Sequence, residues 1–478
     1  MNERGTVVFR RVRVRGHLSE VVVADGVVQR VESTPDGTGF DGTGFDARVV
    51  DGGGAELLPG VHDHHIHLAA LASSFGSLEV GPPAVTSLPQ LAAALCGADR
   101  ALPPGRWIRA VGYHESVAGP LDRKVLDRLV PDRPTRVQDR SGLRWSLNSA
   151  GLDAVGAQHA SHPGIARDRR GHPTGVVDRA DDWIRDATGG EFPDLAPVGR
   201  ALAALGVTGV TDCTPYDDLS GPSAIAAALD DGALPQQVHV TGGLALLGAR
   251  LPGRLHGGPV KIVLDEPDLP ELSTLVEAID AAHRADRCVA MHVVTAATLA
   301  FAIAAWREAG ARRGDRIEHG SVISPAAVPP VAALGLTVVT QPAFVAERGD
   351  RYLAEYEDDH DDLYRCATLI AAGVPVAGSS DAPYALPDPW RAIEAAVQRR
   401  TSSGQILGAA ERLPFERAHD LFTGDPLDPG RGHRRVAPGA PADLVLLHRP
   451  LEKTLPCAAD VRATYRAGRC IWADGDER

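Results

Sequence analysis

Four of the six residues from His62 to His67 are histidines, within the run PGVHDHHIHL at 59–68. Such density is a poor way to fill a core, because each buried ring nitrogen needs a partner. It suits a metal ion well, since neutral imidazole is the commonest protein ligand for one. Residues two apart on a strand share a face. His65 and His67 form one candidate pair, and His62 and His64 a competing pair on the other face. The first pair is preferred because it lies last in the run, nearest the strand end where barrel enzymes place chemistry. For an isolated His-x-His motif, a solvated histidine-rich turn is the plain alternative.

Other strand-like runs carry comparable residues. Lys261 sits inside the apolar run PVKIVLD, 259–265, where a lysine is costly unless paired or chemically altered. A salt bridge to Asp265 or Glu266 would satisfy it. Carbamylation would instead turn it into an oxygen ligand. His292 falls late in CVAMH, His319 closes RIEH, and Asp381 closes VPVAGSSD. Each alone reads as a cap or a satisfied core polar group, but coincidence across five runs is a poor account. Glu318 reads as a structural partner of Arg316 or of a ligand histidine. Elsewhere, Tyr113, His114 and Glu115 end a strand-like run, and Gln138 and Arg140 share a face of another. These five are candidate substrate contacts.

The elements that must position these residues alternate. Strand-like runs at 57–67, 206–214, 236–241, 259–265, 288–294, 316–319, 337–341 and 374–381 are separated by Ala/Leu-rich helical stretches, such as 269–285, 296–309, 325–334 and 361–372. This alternation predicts an α/β fold with a parallel sheet, and eight units predict a (β/α)8 TIM barrel. The first interval is too long. Residues 75–198 hold further strand-like runs at 107–112 and 135–140, and read as a large substrate-shaping insertion after the first barrel strand. Both chain ends are β-rich. Hairpin turns are expected at Asp25-Gly26 and Ala467-Gly468, so the termini should pair into one small sheet domain. The tandem DGTGF at 36–45 reads as a flexible glycine-rich loop.

Composition narrows the partners. The 478 residues include 49 Lys+Arg and 62 Asp+Glu, a formal charge of 49 − 62 = −13. That balance argues against nucleic acid or an anionic membrane, both of which need concentrated positive charge. No run is long enough for a membrane helix. The six scattered cysteines form no CxxC pair and read as reduced, mostly buried thiols of a cytoplasmic protein.

With PGVHDHHIHL, PVKIVLDE, RIEHG, VTQP and GSSDAP, together with Leu147-Asn148-Ser149, GHPTG at 171–175 and the terminal PGAPADL, the sequence resembles the amidohydrolase superfamily, in its amidohydrolase-3 (YtcJ-like) branch. The resemblance spans essentially the whole chain. It implies a β-sandwich domain from 1–57 and 436–478 around a metal-dependent barrel at 58–435. It also implies that His65, His67 and Asp381 bind one metal ion, that His292 and His319 bind another, and that a carboxylated Lys261 bridges them. The implied activity is hydrolysis of a C–N bond of amide, cyclic-amide or N-acyl type by a metal-activated hydroxide, with Asp381 as catalytic base. Two zinc ions are the first expectation, with manganese, iron or nickel as alternatives. A small-molecule substrate and, by family analogy, a homodimer are expected. Two other readings stay open: a mononuclear aminohydrolase (deaminase) of a small heterocycle or amidine, and a non-catalytic barrel that binds a small molecule.

Overall fold

A computed structural model describes residues 5–33, 47–188, 192–355, 360–451 and 454–475. The tandem glycine-rich repeat lies outside the described residues. The chain forms two compact units, one of Met1–Leu68 with Leu195–Arg478 and one of Ala69–Asp194.

In the first unit, two parallel sheets run in chain order. One contains Val61–Ile66, Val207–Asp212, Gln237–Val240 and His256–Gly257. The other contains Val260–Val263, Val289–Val293, Arg316–His319, Thr337–Thr340 and Val376–Gly378. Most of these strands are buried along their whole length, as expected of parallel strands covered by helices. Helices Ser220–Asp230, Leu272–Arg284, Ala296–Ala309 and Pro389–Gln398 bury apolar faces dominated by Leu, Ile and Ala. Among the described residues each of the eight expected runs carries a strand of these sheets, and the two-residue His256–Gly257 strand joins them, too short to give an apolar run to read.

The ladder does not continue from one sheet into the other. Single hydrogen bonds join their edges instead. On one side, Lys261 N donates to Gly242 O at 2.8 Å. On the other edge, Asp381 N donates to His65 O at 2.8 Å and His67 N to Ala382 O at 3.0 Å.

The run read as one strand at 57–67 is two. Leu57–Pro59 pairs antiparallel with Leu444–Leu447, while Val61–Ile66 pairs parallel with Val207–Asp212. Gly60 makes the switch. A Cβ there would lie 2.4 Å from Thr208 Cγ2, so only glycine lets the strands approach this closely. The run at 374–381 also shortens to Val376–Gly378, and Asp381, three residues past its end, takes a left-handed φ of 57°.

The chain ends build two four-stranded sheets. Val27–Ser33, His17–Ala24, Thr6–Val14 and Ala47–Asp51 form one. Arg469–Ala473, Val461–Arg466, Leu444–Leu447 and Leu57–Pro59 form the other. They share a core in which Phe9 meets Tyr465 edge to face, with ring centroids 4.9 Å apart, beside Val12, Val21, Leu57 and Leu446. Asp25-Gly26 and Ala467-Gly468 both turn with positive φ, as their hairpins require.

The Ala69–Asp194 unit holds a six-stranded sheet in the order Ile165–Arg167, Pro173–Asp178, Arg144–Leu147, Thr135–Asp139, Ile108–Tyr113, Leu78–Glu79. Two of these strands were legible as apolar runs. The others are too short or too polar to stand out. All six cysteines are free, but the expectation that most are buried is corrected: only Cys213 and Cys366 are, and Cys457 is exposed. Among the described residues, no helix is long and apolar enough to cross a membrane.

Gly60→Ala should destabilise the protein by roughly 1–3 kcal/mol through the contact with Thr208. Adding Thr208→Ala should recover part of that loss in a double-mutant denaturation cycle. Strictly additive effects would show that the two residues do not meet.

Candidate metal centre

His65 and His67 lie at the end of one strand, Lys261, His292 and His319 on three others, and Asp381 three residues past a fifth, and side-chain contacts connect them. Asp381 Oδ1 lies 3.3 Å from His67 Nε2 and 3.6 Å from His65 Nε2. Lys261 Nζ lies 3.3 Å from the same His65 Nε2. His319 Nε2 faces His292 Nδ1 at 3.0 Å, and its ring stands 4.8 Å from that of His65, centre to centre. One ligand atom each from His65, His319 and Asp381 falls within a 4.8 Å span. Donors around a tetrahedral ion, with bonds of about 2.0–2.2 Å, stand about 3.3–3.5 Å apart. The distances from Asp381 Oδ1 to His65 and His67 are of that size, and imidazole with carboxylate is a suitable donor set for a divalent transition metal. Asp381 Oδ1 is buried and has no hydrogen-bond partner, which is how an oxygen kept for a cation would look.

Neighbouring groups fix the donor atoms. His65 Nδ1 meets Glu318 Oε2 at 2.5 Å, so the ring donates there and leaves the Nε2 lone pair aimed at Lys261 and Asp381. Glu318 Oε1 accepts from Arg316 Nε, also at 2.5 Å. Glu318 thus partners both groups that the sequence offered as alternatives. Burial works against the Arg316 charge, yet the adjacent carboxylate outweighs it and raises the guanidinium pKa. Gln341 Oε1 accepts from His319 Nδ1 at 3.0 Å, and Gln341 Nε2 donates to Ser379 Oγ at 2.9 Å. His67 Nδ1 shares a hydrogen bond with the Thr214 hydroxyl at 3.3 Å. Asp63 accepts the amides of Ser380 and His65 at 3.0 and 3.2 Å, pinning the loop that carries Asp381 to the histidine strand. Burial pushes its carboxyl pKa up to about 6. Asp63, Gln341, Thr214 and Ser379 were missed as positioning residues, although the first, second and fourth stand inside the quoted motifs.

Backbone strain marks two of the six. His319 has φ 71° and Asp381 has φ 57°, a region that costs a non-glycine residue roughly 1–3 kcal/mol. His319 ends its strand and Asp381 stands three residues past one, and the turn at each re-aims the side chain toward the others.

Lys261 is only 4% exposed, yet among the described residues no carboxylate lies within ion-pair range of Nζ. The salt-bridge alternative with Asp265 or Glu266 is thereby corrected, because Lys261 and Asp265 are not paired and Nζ approaches His65. Burial, reinforced by the Lys261 charge, holds the His65 pKa far below its usual value. Burial and then Lys261 push His292 down to about 3, and burial with the His292 charge depresses His319. All three rings are neutral at neutral pH and ready to ligate.

His62 and His64 go elsewhere. His62 Nε2 bonds Thr211 Oγ1 at 2.9 Å, and its ring lies 4.7 Å from His64 and 5.8 Å from His239, which stacks on His256. The five candidate substrate contacts lie in the Ala69–Asp194 unit. Tyr113 Oη donates to Gly119 O, His114 caps the turn Glu115–Ala118, and Gln138 Nε2 donates to Gly142 O. Glu115 is exposed, and Arg140 N donates to Tyr113 O at 2.8 Å.

Residues 48–472 match the family described as the amidohydrolase family. The chain is 26% identical over 468 residues to N-substituted formamide deformylase of Arthrobacter pascens, covering 84% of this chain and 85% of that one. It is 27% identical over 423 residues to amidohydrolase YtcJ of Bacillus subtilis (strain 168), covering 77% and 79%. Among solved structures, an uncharacterized metal-dependent hydrolase from Pyrococcus horikoshii OT3 aligns with TM-score 0.72 at 19% identity, covering 93% of this chain and 97% of that chain, a likeness of fold.

Two outcomes are expected. Glu318→Gln should weaken metal retention by about 10–100-fold, read by chelator competition, because His65 loses the carboxylate that sets its tautomer. Unchanged retention would remove Glu318 from this role. In metal-free protein, folding stability should fall as pH drops from about 6.5 toward 3, because the unfolded chain protonates histidines that the folded state keeps neutral. The raised Asp63 pKa acts oppositely, favouring the fold as pH falls from about 6, but it is one group against several imidazoles. Denaturant titrations across that range give the sign directly.

Proposed function

Because the chain belongs to the amidohydrolase family and is a metal-dependent hydrolase of C–N bonds in small molecules, we propose that it cleaves an amide-type bond at a centre for two divalent ions, zinc first. The relative named N-substituted formamide deformylase makes N-acyl amines the leading substrate class. Family membership as an enzyme sets aside the non-catalytic reading. The two parallel sheets are read as one (β/α)8 barrel, supported by the hydrogen bonds between their edges, and the terminal sheets as a β-sandwich.

In this reading His65 Nε2, His67 Nε2 and Asp381 Oδ1 would hold one ion, and His292 Nδ1 and His319 Nε2 the other. The Lys261 ammonium would lose one proton, add carbon dioxide at the resulting amine Nζ, release a second proton and become an anionic carbamate able to reach both. The observation that carries this is the buried Lys261, with His65 at 3.3 Å and no carboxylate partner among the described residues. A buried ammonium in that position is costly, whereas a carbamate beside cations is not. When bound, such ions supply Lewis acidity, lowering the pKa of water to about 7 and polarising a carbonyl. Asp381 takes the proton of the attacking water on Oδ2, the carboxylate oxygen not committed to an ion, and passes it to the leaving nitrogen. The water oxygen bonds to the carbonyl carbon, the C–N bond breaks, and an acid and an amine leave. Neutral His65, His292 and His319 stay bound in place through this transfer.

A second reading, a mononuclear aminohydrolase, is favoured by the tight group of His65, His319 and Asp381. Metal-loaded protein should be assayed on N-acyl amines, hydantoins, lactams and aminated heterocycles, with acid and ammonia release measured separately. The expected result is acid and amine release, about two ions per chain, and Lys261→Ala losing one ion and roughly a hundredfold or more in rate. Ammonia release at about one ion per chain, with Lys261→Ala active, would overturn the two-ion hydrolase in favour of the deaminase.

A further inference from the structure

Close to the candidate metal centre stands a cation that no role above uses. Arg348 lies on the helix Ala343–Glu355, which follows the strand Thr337–Thr340. Its half-buried guanidinium carbon sits 3.9 Å from the centre of the Phe344 ring. Its Nη2 donates to the Tyr384 carbonyl at 2.5 Å. Among the described residues it makes no ion pair and no other side-chain hydrogen bond, so most of its donor fork is unused.

Both anchors of Arg348 connect to residues of the centre, Tyr384 from a loop and Phe344 from the first turn of the helix. Tyr384 N donates to Asp381 O at 2.8 Å, and the Tyr384 ring stands edge-on to His67 with centroids 5.8 Å apart. Phe344 N donates to the carbonyl of Gln341, whose side chain holds His319. The guanidinium is therefore tied to the loops bearing Asp381 and Gln341, and an aromatic face and a backbone carbonyl hold it there without neutralising it. A guanidinium held over an aromatic ring and bonded through one Nη keeps its other N–H groups for a carboxylate, which such a planar fork receives in two parallel hydrogen bonds.

We propose that Arg348 is a carboxylate-recognition residue, and that the substrate is an anionic amide, an N-acylated amino acid or close relative, rather than a neutral N-acyl amine. This rests on the hydrolase reading above and narrows its substrate class. Arg348 is a specificity residue, and the bond-breaking step stays with Asp381.

The experiment compares an N-acyl amino acid with its carboxamide, which differ only in the charge. Both are assayed with metal-loaded wild type, Arg348→Met and Arg348→Lys. Direct binding of an N-alkyl amino acid, which has no bond to cleave, and of its carboxamide is measured calorimetrically on the same proteins. Wild type should favour the acid in kcat/KM by about 10–100-fold, the size of a charge-assisted bidentate pair. Arg348→Met should collapse that ratio, and Arg348→Lys should restore part of it. The binding ratio should follow the same order. An acid-to-amide ratio that is near one in wild type, or that is unchanged in both variants, overturns the proposal. If nothing is hydrolysed but the binding ratio still depends on Arg348, the hydrolase reading falls and the carboxylate subsite stands. If amides are hydrolysed with no dependence on Arg348, the reverse holds. Should Arg348→Met fail to fold, the wild-type ratio and Arg348→Lys still decide.

Discussion

The fold has to hold several ionisable groups together where water cannot reach most of them. His65, Glu318, Arg316 and Lys261 are all nearly inaccessible, and each depends on the others for its hydrogen bonds or charge balance. The chain Arg316–Glu318–His65 resolves this for three of them. A buried carboxylate accepts from a guanidinium on one oxygen and from an imidazole on the other, so neither charge is left alone. The consequence reaches beyond stability. With its Nδ1 proton committed to Glu318, His65 has one free lone pair, and it points at Lys261 and Asp381.

The backbone extends the same logic. Short parallel strands deliver side chains to one end, but a strand alone aims alternate residues at opposite faces. At His319 and Asp381 the chain leaves the strand through left-handed turns, which redirects one side chain toward His292 and the other toward His65 and His67. Strain of this kind persists only where surroundings overdetermine it. Here Gln341 fixes the His319 ring, and Asp63 fixes the Ser380 amide one residue before Asp381. Gly60 serves an earlier step, letting the chain pass from a terminal sheet into the histidine strand against Thr208.

Charge is distributed unevenly around this arrangement. The imidazoles of His65, His292 and His319 are neutral because burial denies them protons. Lys261 lacks a counter-charge among the described residues, and so does the half-buried Arg348 near the loops that hold the centre. Two cations without a counter-charge suit anions, a carbamate oxygen at Lys261 and a ligand carboxylate at Arg348.

The sequence by itself determined the types of the ligand residues and their order along the chain. Histidines two apart, a lysine inside an apolar run, and polar residues at the ends of apolar runs are local features, and periodicity shows them without a fold. It also determined the hairpins at Asp25-Gly26 and Ala467-Gly468, because positive φ at the turn residues is a local requirement. Tertiary structure alone decided that Nδ1 of His65 is committed to Glu318, that Lys261 has neither Asp265 nor Glu266 as its partner, and that Arg348 lies near His67. It also decided where the run at 57–67 breaks between two sheets. These outcomes depend on atoms separated by up to hundreds of residues meeting in space, and on burial, which no local window of sequence can measure.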